Sequence, residues 1–138
     1  MANVTGTFGD DVLKGTIYND IIIGKSGDDT IYDKGGSFIA SDDFMFGNKG
    51  DDWIQSISGN DKMFGGTGND AFQVSLVCDP HNEGFDRVVR GGAGLDELTL
   101  VDPWNIDDVQ IVGNHIEIID KAGGITSVYG VEHYSFDV

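Results

Sequence analysis

The chain has 138 residues, a formal net charge of −16 and an isoelectric point near 4.1. That length supports one domain with a modest core and not two. The charge excludes a nucleic-acid footprint and an anionic membrane surface as partners, and no apolar run approaches the roughly 18 residues of a membrane-spanning helix.

The N-terminal residues, Met1 to Gly6, lack the basic-then-apolar pattern of a cleavable leader. A single cysteine, Cys78, excludes an intramolecular disulfide and reads as a small, partly buried apolar side chain. Glycine is abundant, at 21 residues against 2 prolines, which points to many turns that need a positive φ. The acids are unevenly chosen: residues 1–73 hold 12 Asp and no Glu, beside 5 Lys. A merely solubilising surface would use both acids. Short carboxylates among Gly and Asn fit fixed backbone positions in turns and calcium loops.

In chain order, Asp11, Asp20 and Asp29 stand nine residues apart, and Asp43, Asp52, Asp61 and Asp70 resume that spacing after a gap of fourteen. Two residues after each comes an apolar side chain: Leu13, Ile22, Ile31, Met45, Ile54, Met63 and Phe72. A six-residue Gly/Asp turn excludes a helix, and the triplet after it, apolar at its centre, predicts a very short strand. Such strands are unstable alone and must stack on neighbours. The period is absent over 74–90 and returns in full at 91–99, ending its turn on Asp96. Further on, Val109–Val112 and His115–Ile119 flank Gly113-Asn114 and predict a β-hairpin on a two-residue turn. Gly123-Gly124 breaks the chain before a strand over Ile125–Tyr129, and Tyr134–Val138 is the expected last strand. A solenoid end exposes core and unpaired backbone, so residues 100–138 are expected to cap it. The chain is therefore expected to be one domain over 1–138: regular repeats at 6–73, an interrupted continuation at 74–99, and a β cap at 100–138.

The clearest copy, Gly65-Gly66-Thr67-Gly68-Asn69-Asp70-Ala71-Phe72-Gln73, and the copy at 91–99 are glycine-rich nonapeptides. On these motifs the chain resembles the RTX (repeats-in-toxin) family of secreted bacterial proteins over 6–73 and 91–99. The resemblance implies an all-β fold, a parallel β-roll: a two-sheet, calcium-stacked solenoid. Two repeats make one coil, with turns alternating between two edges. Calcium sits between successive turns of one edge, held by Asp carboxylates and glycine-loop carbonyls, an oxygen-only set suited to a hard cation. The first edge then carries turns 6–11, 24–29, 47–52 and 65–70. Glycines stand at their first and fourth positions: Gly6, Gly9, Gly24, Gly27, Gly47, Gly50, Gly65 and Gly68. At least three Ca2+ ions are expected there, between Asp11 and Asp29, Asp29 and Asp52, and Asp52 and Asp70. Asp96 would join this edge beside Asp70 if the roll continues. The second edge carries poorer copies, with Tyr18, Ser56 and Ile57 in glycine positions. Its candidate ligands are Asp20, Asp43 and Asp61. Unshielded, the stacked carboxylates would repel one another, so metal binding is expected to supply folding free energy. The stretch from Gly130 to Asp137 resembles the segment that closes such repeats, and the family implies type I secretion by an uncleaved C-terminal signal.

No catalytic constellation accompanies the repeats, and the chain is not expected to be an enzyme. His81, His115 and His133 lack ligand spacing, Asp107-Asp108 reads as a loop or helix-start pair, and Trp53 and Trp104 read as packing residues. The expected function is a calcium-binding structural module of a secreted bacterial protein, folding when it meets extracellular calcium. The alternative is a carbohydrate-binding or adhesion module appended to a secreted enzyme. Its size and layout are similar to the R-modules of alginate epimerases, and a polysaccharide would be reached through local cations such as Arg87 and Arg90. On one sheet the outward residues Ile21, Ile23, Phe44, Phe46 and Phe64 are too apolar for open solvent. They predict cover by the 33–42 segment, by 100–138, or by another chain in a homo-oligomer.

Overall fold

The computed structural model describes residues 1–34, 40–76 and 84–137; Cys78 and His81 lie outside them. Among the described residues the strands are β1 (Asn3–Thr5), β2 (Val12–Lys14), β3 (Ile21–Ser26), β4 (Thr30–Tyr32), β5 (Phe44–Lys49), β6 (Trp53–Ser56) and β7 (Lys62–Thr67). They continue with β8 (Ala71–Ser75), β9 (Arg87–Ala93), β10 (Glu97–Val101), β11 (Ile106–Val112), β12 (His115–Asp120), β13 (Ile125–Tyr129) and β14 (His133–Asp137). One 3-10 turn, Pro103–Asn105, lies between β10 and β11.

From β1 to β10 successive strands alternate between two sheets. One has the order β1-β3-β5-β7-β9-β13-β12-β11 and the other β14-β10-β8-β6-β4-β2. Within the repeats every pairing is parallel, and each repeat aligns with the repeat one coil away, as in Ile21↔Phe44, Phe44↔Lys62 and Trp53↔Ala71. This is a parallel β-roll. A three-residue strand has room for one inward side chain, so the core is a double file of single residues. Ile22, Met45, Met63 and Val89 come from one sheet and Ile31, Ile54, Phe72 and Leu98 from the other, each at most 1% exposed. Every inward apolar residue predicted from the period is buried.

The C-terminal third extends the roll. β13 pairs parallel with β9, and β14 pairs parallel with β10, so these two strands form a last coil. The predicted hairpin is present as β11 and β12, with Val112 opposite His115. It adds antiparallel to β13 and carries one sheet two strands beyond the other. Asp107 and Asp108 lie within β11, not in a loop or at a helix start. Among the described residues, 100–137 do not cover the apolar outer face of β3, β5 and β7: β11, β12 and β13 prolong that sheet, and β14 joins the other.

Candidate metal centre

Each first-edge turn links a strand of one sheet to a strand of the other, and its sixth residue is an Asp turned inward beneath the turn. Asp29, Asp52, Asp70 and Asp96 are each at most 2% exposed. They form a continuous ladder: the backbone N–H of each donates to Oδ1 of the next, Asp11 to Asp29 at 2.9 Å, Asp29 to Asp52 at 2.8 Å, Asp52 to Asp70 at 2.9 Å and Asp70 to Asp96 at 2.9 Å. Asp96 N–H in turn donates to Oε2 of Glu132 at 2.9 Å. A second ladder runs outside this one, where Asp10, Asp28, Asp51 and Asn69 each accept the N–H of the fifth turn residue in the following coil. Together the ladders fix the spacing between coils and explain why the fifth position is Asp or Asn.

The other carboxylate oxygens are exceptional. Oδ2 of Asp29, Asp52, Asp70 and Asp96 is buried with no hydrogen-bond partner. A buried, ionised oxygen without a donor is costly, so these four atoms mark where a cation is wanted. The glycines at the first turn positions complete the cradle. A Cβ on Gly24, Gly47, Gly65 or Gly91 would meet Oδ2 of its own turn's Asp and the carbonyl of the next coil's first glycine: Gly47, Gly65, Gly91 and Gly130 in turn. Each interval thus brings together a carboxylate oxygen and a backbone carbonyl with side-chain-free space between. That is a donor set fit for calcium. At the fourth position Gly27, Gly50, Gly68 and Gly94 have φ between 108° and 150°, which other residues rarely adopt.

Burial dominates the electrostatics. It pushes Asp52 up to about 7 and Asp70 to about 6, and raises Asp29 and Asp96, with neighbouring carboxylates adding to each shift.

The second edge is built differently. Asp20, Asp43 and Asp61 form their own ladder, with N–H to Oδ1 distances of 2.7 Å from Asp20 to Asp43 and 2.9 Å from Asp43 to Asp61. Here each Oδ2 is satisfied: by Thr16 N–H and hydroxyl on Asp20, by the Ser41 hydroxyl on Asp43 and by the Ser56 hydroxyl on Asp61. For Asp20, burial alone would raise the pKa, but the Thr16 and Ala2 donors outweigh it and the value is lowered. Asp43 and Asp61 are raised by burial to about 6 and about 7. Asp33, Asp43 and Asp61 each bring one carboxylate oxygen within 4.8 Å of the others.

The structure therefore brings Asp11, Asp29, Asp52, Asp70 and Asp96 onto one edge and Asp20, Asp43 and Asp61 onto the other. Three participants escape a search keyed to Gly-x-Asp. Glu132 takes the Asp slot of the last coil; its signal was the apolar Tyr134 two residues on. Asp33 comes from the interruption. Arg87, named as a surface cation for a sugar, is 1% exposed and unavailable to one. Of the remaining residues singled out, His115 stacks on Tyr129 at 4.5 Å, Trp53 is half-buried on the outer face of β6, and Trp104 is 58% exposed.

A family model described as the RTX calcium-binding nonapeptide repeat (4 copies) matches residues 5–36 and 40–72. No curated protein matches the chain. Among solved structures, the chain is similar to the extracellular lipase LipA from Serratia marcescens at 15% identity, with a TM-score of 0.27. The match covers 94% of this chain and spans 38% of the lipase. With the ladder of paired coils, the glycine cradles and the family match, residues 5–36 and 40–72 of the chain are RTX calcium-binding nonapeptide repeats.

Proposed function

We propose that this chain is a calcium-dependent β-roll module of a secreted bacterial protein, with a structural and not a catalytic role. The observation that carries it is the row of four buried, partnerless Oδ2 atoms on Asp29, Asp52, Asp70 and Asp96. Oδ2 of these residues, with the carbonyls of Gly47, Gly65, Gly91 and Gly130, would hold the ions. Bound calcium supplies positive charge between coils that otherwise juxtapose buried carboxylates. The residues do the rest: Oδ1 holds the register through the N–H ladder, and the glycines keep the space clear. Without cations the coils repel, so calcium binding and folding are one equilibrium. Extracellular modules bind calcium at about 10⁻⁴–10⁻³ M, which keeps such a chain unfolded in a cytosol and folded outside. Export through a type I pathway fits that order of events. Circular dichroism of chelator-treated protein during calcium titration tests it: a coil spectrum converting to a β spectrum is expected. A β spectrum that ignores the chelator sinks the proposal.

One observation favours a second reading, a glycan-binding module. Strands β1, β3, β5, β7 and β9 contain no acid and, besides the buried Arg87, hold four basic residues, Lys25, Lys49, Lys62 and Arg90. Their outer face carries Phe46 stacked on Phe64 at 4.9 Å, Lys62 over Phe44 at 4.9 Å and Arg90 over Tyr129 at 4.7 Å. On so acidic a molecule, an aromatic and cationic strip suits an anionic sugar chain. Calorimetry of the calcium-loaded protein with uronate oligosaccharides is expected to show binding that Arg90→Ala and Phe64→Ala abolish. Sedimentation in the same buffer reads whether the strip is instead covered by a second copy.

A further inference from the structure

The two edges have the same ladder but different endings, and the difference is chemical. β9 pairs with β7 so that Val88 lies opposite Lys62. Asp86 N–H donates to Asn60 Oδ1 at 2.8 Å, and Val88 N–H to the Asp61 carbonyl at 2.9 Å. Asp86 and Arg87 therefore occupy the fifth and sixth turn positions. Arg87 stands where the repeat places its Asp, directly beyond Asp61. We infer that Arg87 is a resident cation of the second-edge ladder and that calcium is confined to the first edge.

Three further observations bear on this. Arg87 is 1% exposed, its Nη2 donates to the Ile57 carbonyl at 3.3 Å, and its guanidinium lies over the Phe85 ring at 5.1 Å. A permanent charge held this deep needs anions nearby, and the charges of Asp61, Asp33 and Asp120 all act on it. The second-edge carboxylates are also each met by at least two protein donors. Asp33 Oδ2 accepts the N–H of Ile57 and of Ser58, while Asp43 and Asp61 each accept one N–H and one serine hydroxyl. The first-edge acids from Asp29 to Asp96 each accept one N–H and leave Oδ2 bare. A hydroxyl aimed at Oδ2 takes up one of its lone pairs and relieves the unmet charge that would draw an ion. Finally, all the extra chain lies on the second edge. The segments between β4 and β5, β8 and β9, and β10 and β13 depart from the regular turn, while the first-edge turns keep six residues through Asp96. An edge that ions stitch at every step must keep its spacing; an edge closed by side chains can tolerate insertions.

The inference rests on calcium occupying the first edge, and the test separates the two claims. Ions per chain are counted by metal analysis at saturating calcium for the wild type, Asp52→Asn and Asp43→Asn. Melting temperatures are measured in the same buffer for Arg87→Met and Arg87→Lys. Asp52→Asn is expected to lose bound calcium and Asp43→Asn to keep the wild-type count. Arg87→Met is expected to melt more than about 5 °C lower with no gain or loss of ions, and Arg87→Lys to recover part of that. Should Asp43→Asn not fold, Ser56→Ala, which leaves every carboxylate in place, is expected to keep the count. Loss of an ion from Asp43→Asn overturns the inference while leaving first-edge binding intact, as does an ion count lowered by Ser56→Ala. An unchanged melting temperature in Arg87→Met removes the resident cation. A wild type that binds no calcium defeats both claims.

Discussion

Within one Asp of this roll, Oδ1 and Oδ2 have separate tasks. Oδ1 belongs to the fold, because it accepts an N–H from the preceding coil. Oδ2, bare from Asp29 to Asp96, is the atom that the proposed function gives to the ion. The glycines divide in the same way: the first position of each turn keeps space for a ligand, and the fourth supplies a backbone angle. Gly68 shows the second constraint. Its φ is 127°, and a Cβ there would run into the Gly50 carbonyl of the coil below. Gly68→Ala therefore combines backbone strain with a clash against main chain that cannot swing away. It is expected to cost about 2 kcal/mol or more in urea unfolding at saturating calcium. Gly113, at φ 61° in the hairpin turn, would place its Cβ in open space. Gly113→Ala is expected to cost only the left-handed backbone penalty of about 1 kcal/mol. The fixed distance from Asp to inward apolar residue made the core readable from sequence. Glu132 and Arg87 were harder to see, since both fill the Asp position with a different side chain and keep only the apolar residue two places on, Tyr134 and Val89, as a signal.

At the level of elements, the spacing along the chain foretold the short strands, because a nine-residue period leaves room for only one per repeat, and the family resemblance implied their sorting into two sheets. The hairpin was equally legible from Gly113-Asn114 between two apolar runs. What could not be read was where the hairpin would dock. A second-edge excursion that adds to β13 requires knowing that β13 already lies beside β9, a contact 39 residues distant in sequence (Thr126↔Arg87). The docking also sets how much each hairpin residue matters. β12 still lies over the core, and Ile118 is 2% exposed; β11 overhangs the end of the other sheet, leaving Ile111 83% exposed. Ile118→Ala is expected to destabilise the calcium-loaded protein by about 2–4 kcal/mol. Ile111→Thr should stay within about 0.5 kcal/mol of wild type. Urea titration of both at saturating calcium reads the difference, and equal effects would mean that β11 is covered in solution.

For the molecule as a whole, the formal charge of −16 and the buried carboxylates pose one problem with two solutions, protons or calcium. Four divalent ions would bring the formal charge to about −8. Protons act on the same groups. In the folded, metal-free chain burial raises Asp52 to about 7 and Asp70 to about 6, against 3.8 for an ordinary Asp. A carboxyl whose pKa is higher folded than unfolded binds more protons in the folded state. Its stabilising contribution is complete below the unfolded value and is lost as the pH climbs through the folded one. Asp43 and Asp61, raised to about 6 and about 7, act in the same direction. The calcium-stripped chain is therefore expected to gain β structure as the pH falls from about 8 to about 5. In millimolar calcium the trend should invert, because protons then displace the ions that hold the first edge, and acidification should raise the calcium concentration needed for half-folding. Circular dichroism against pH, with stripped and calcium-loaded protein side by side, measures both slopes. If the stripped chain loses structure on acidification, the buried acids are not the groups that oppose its folding.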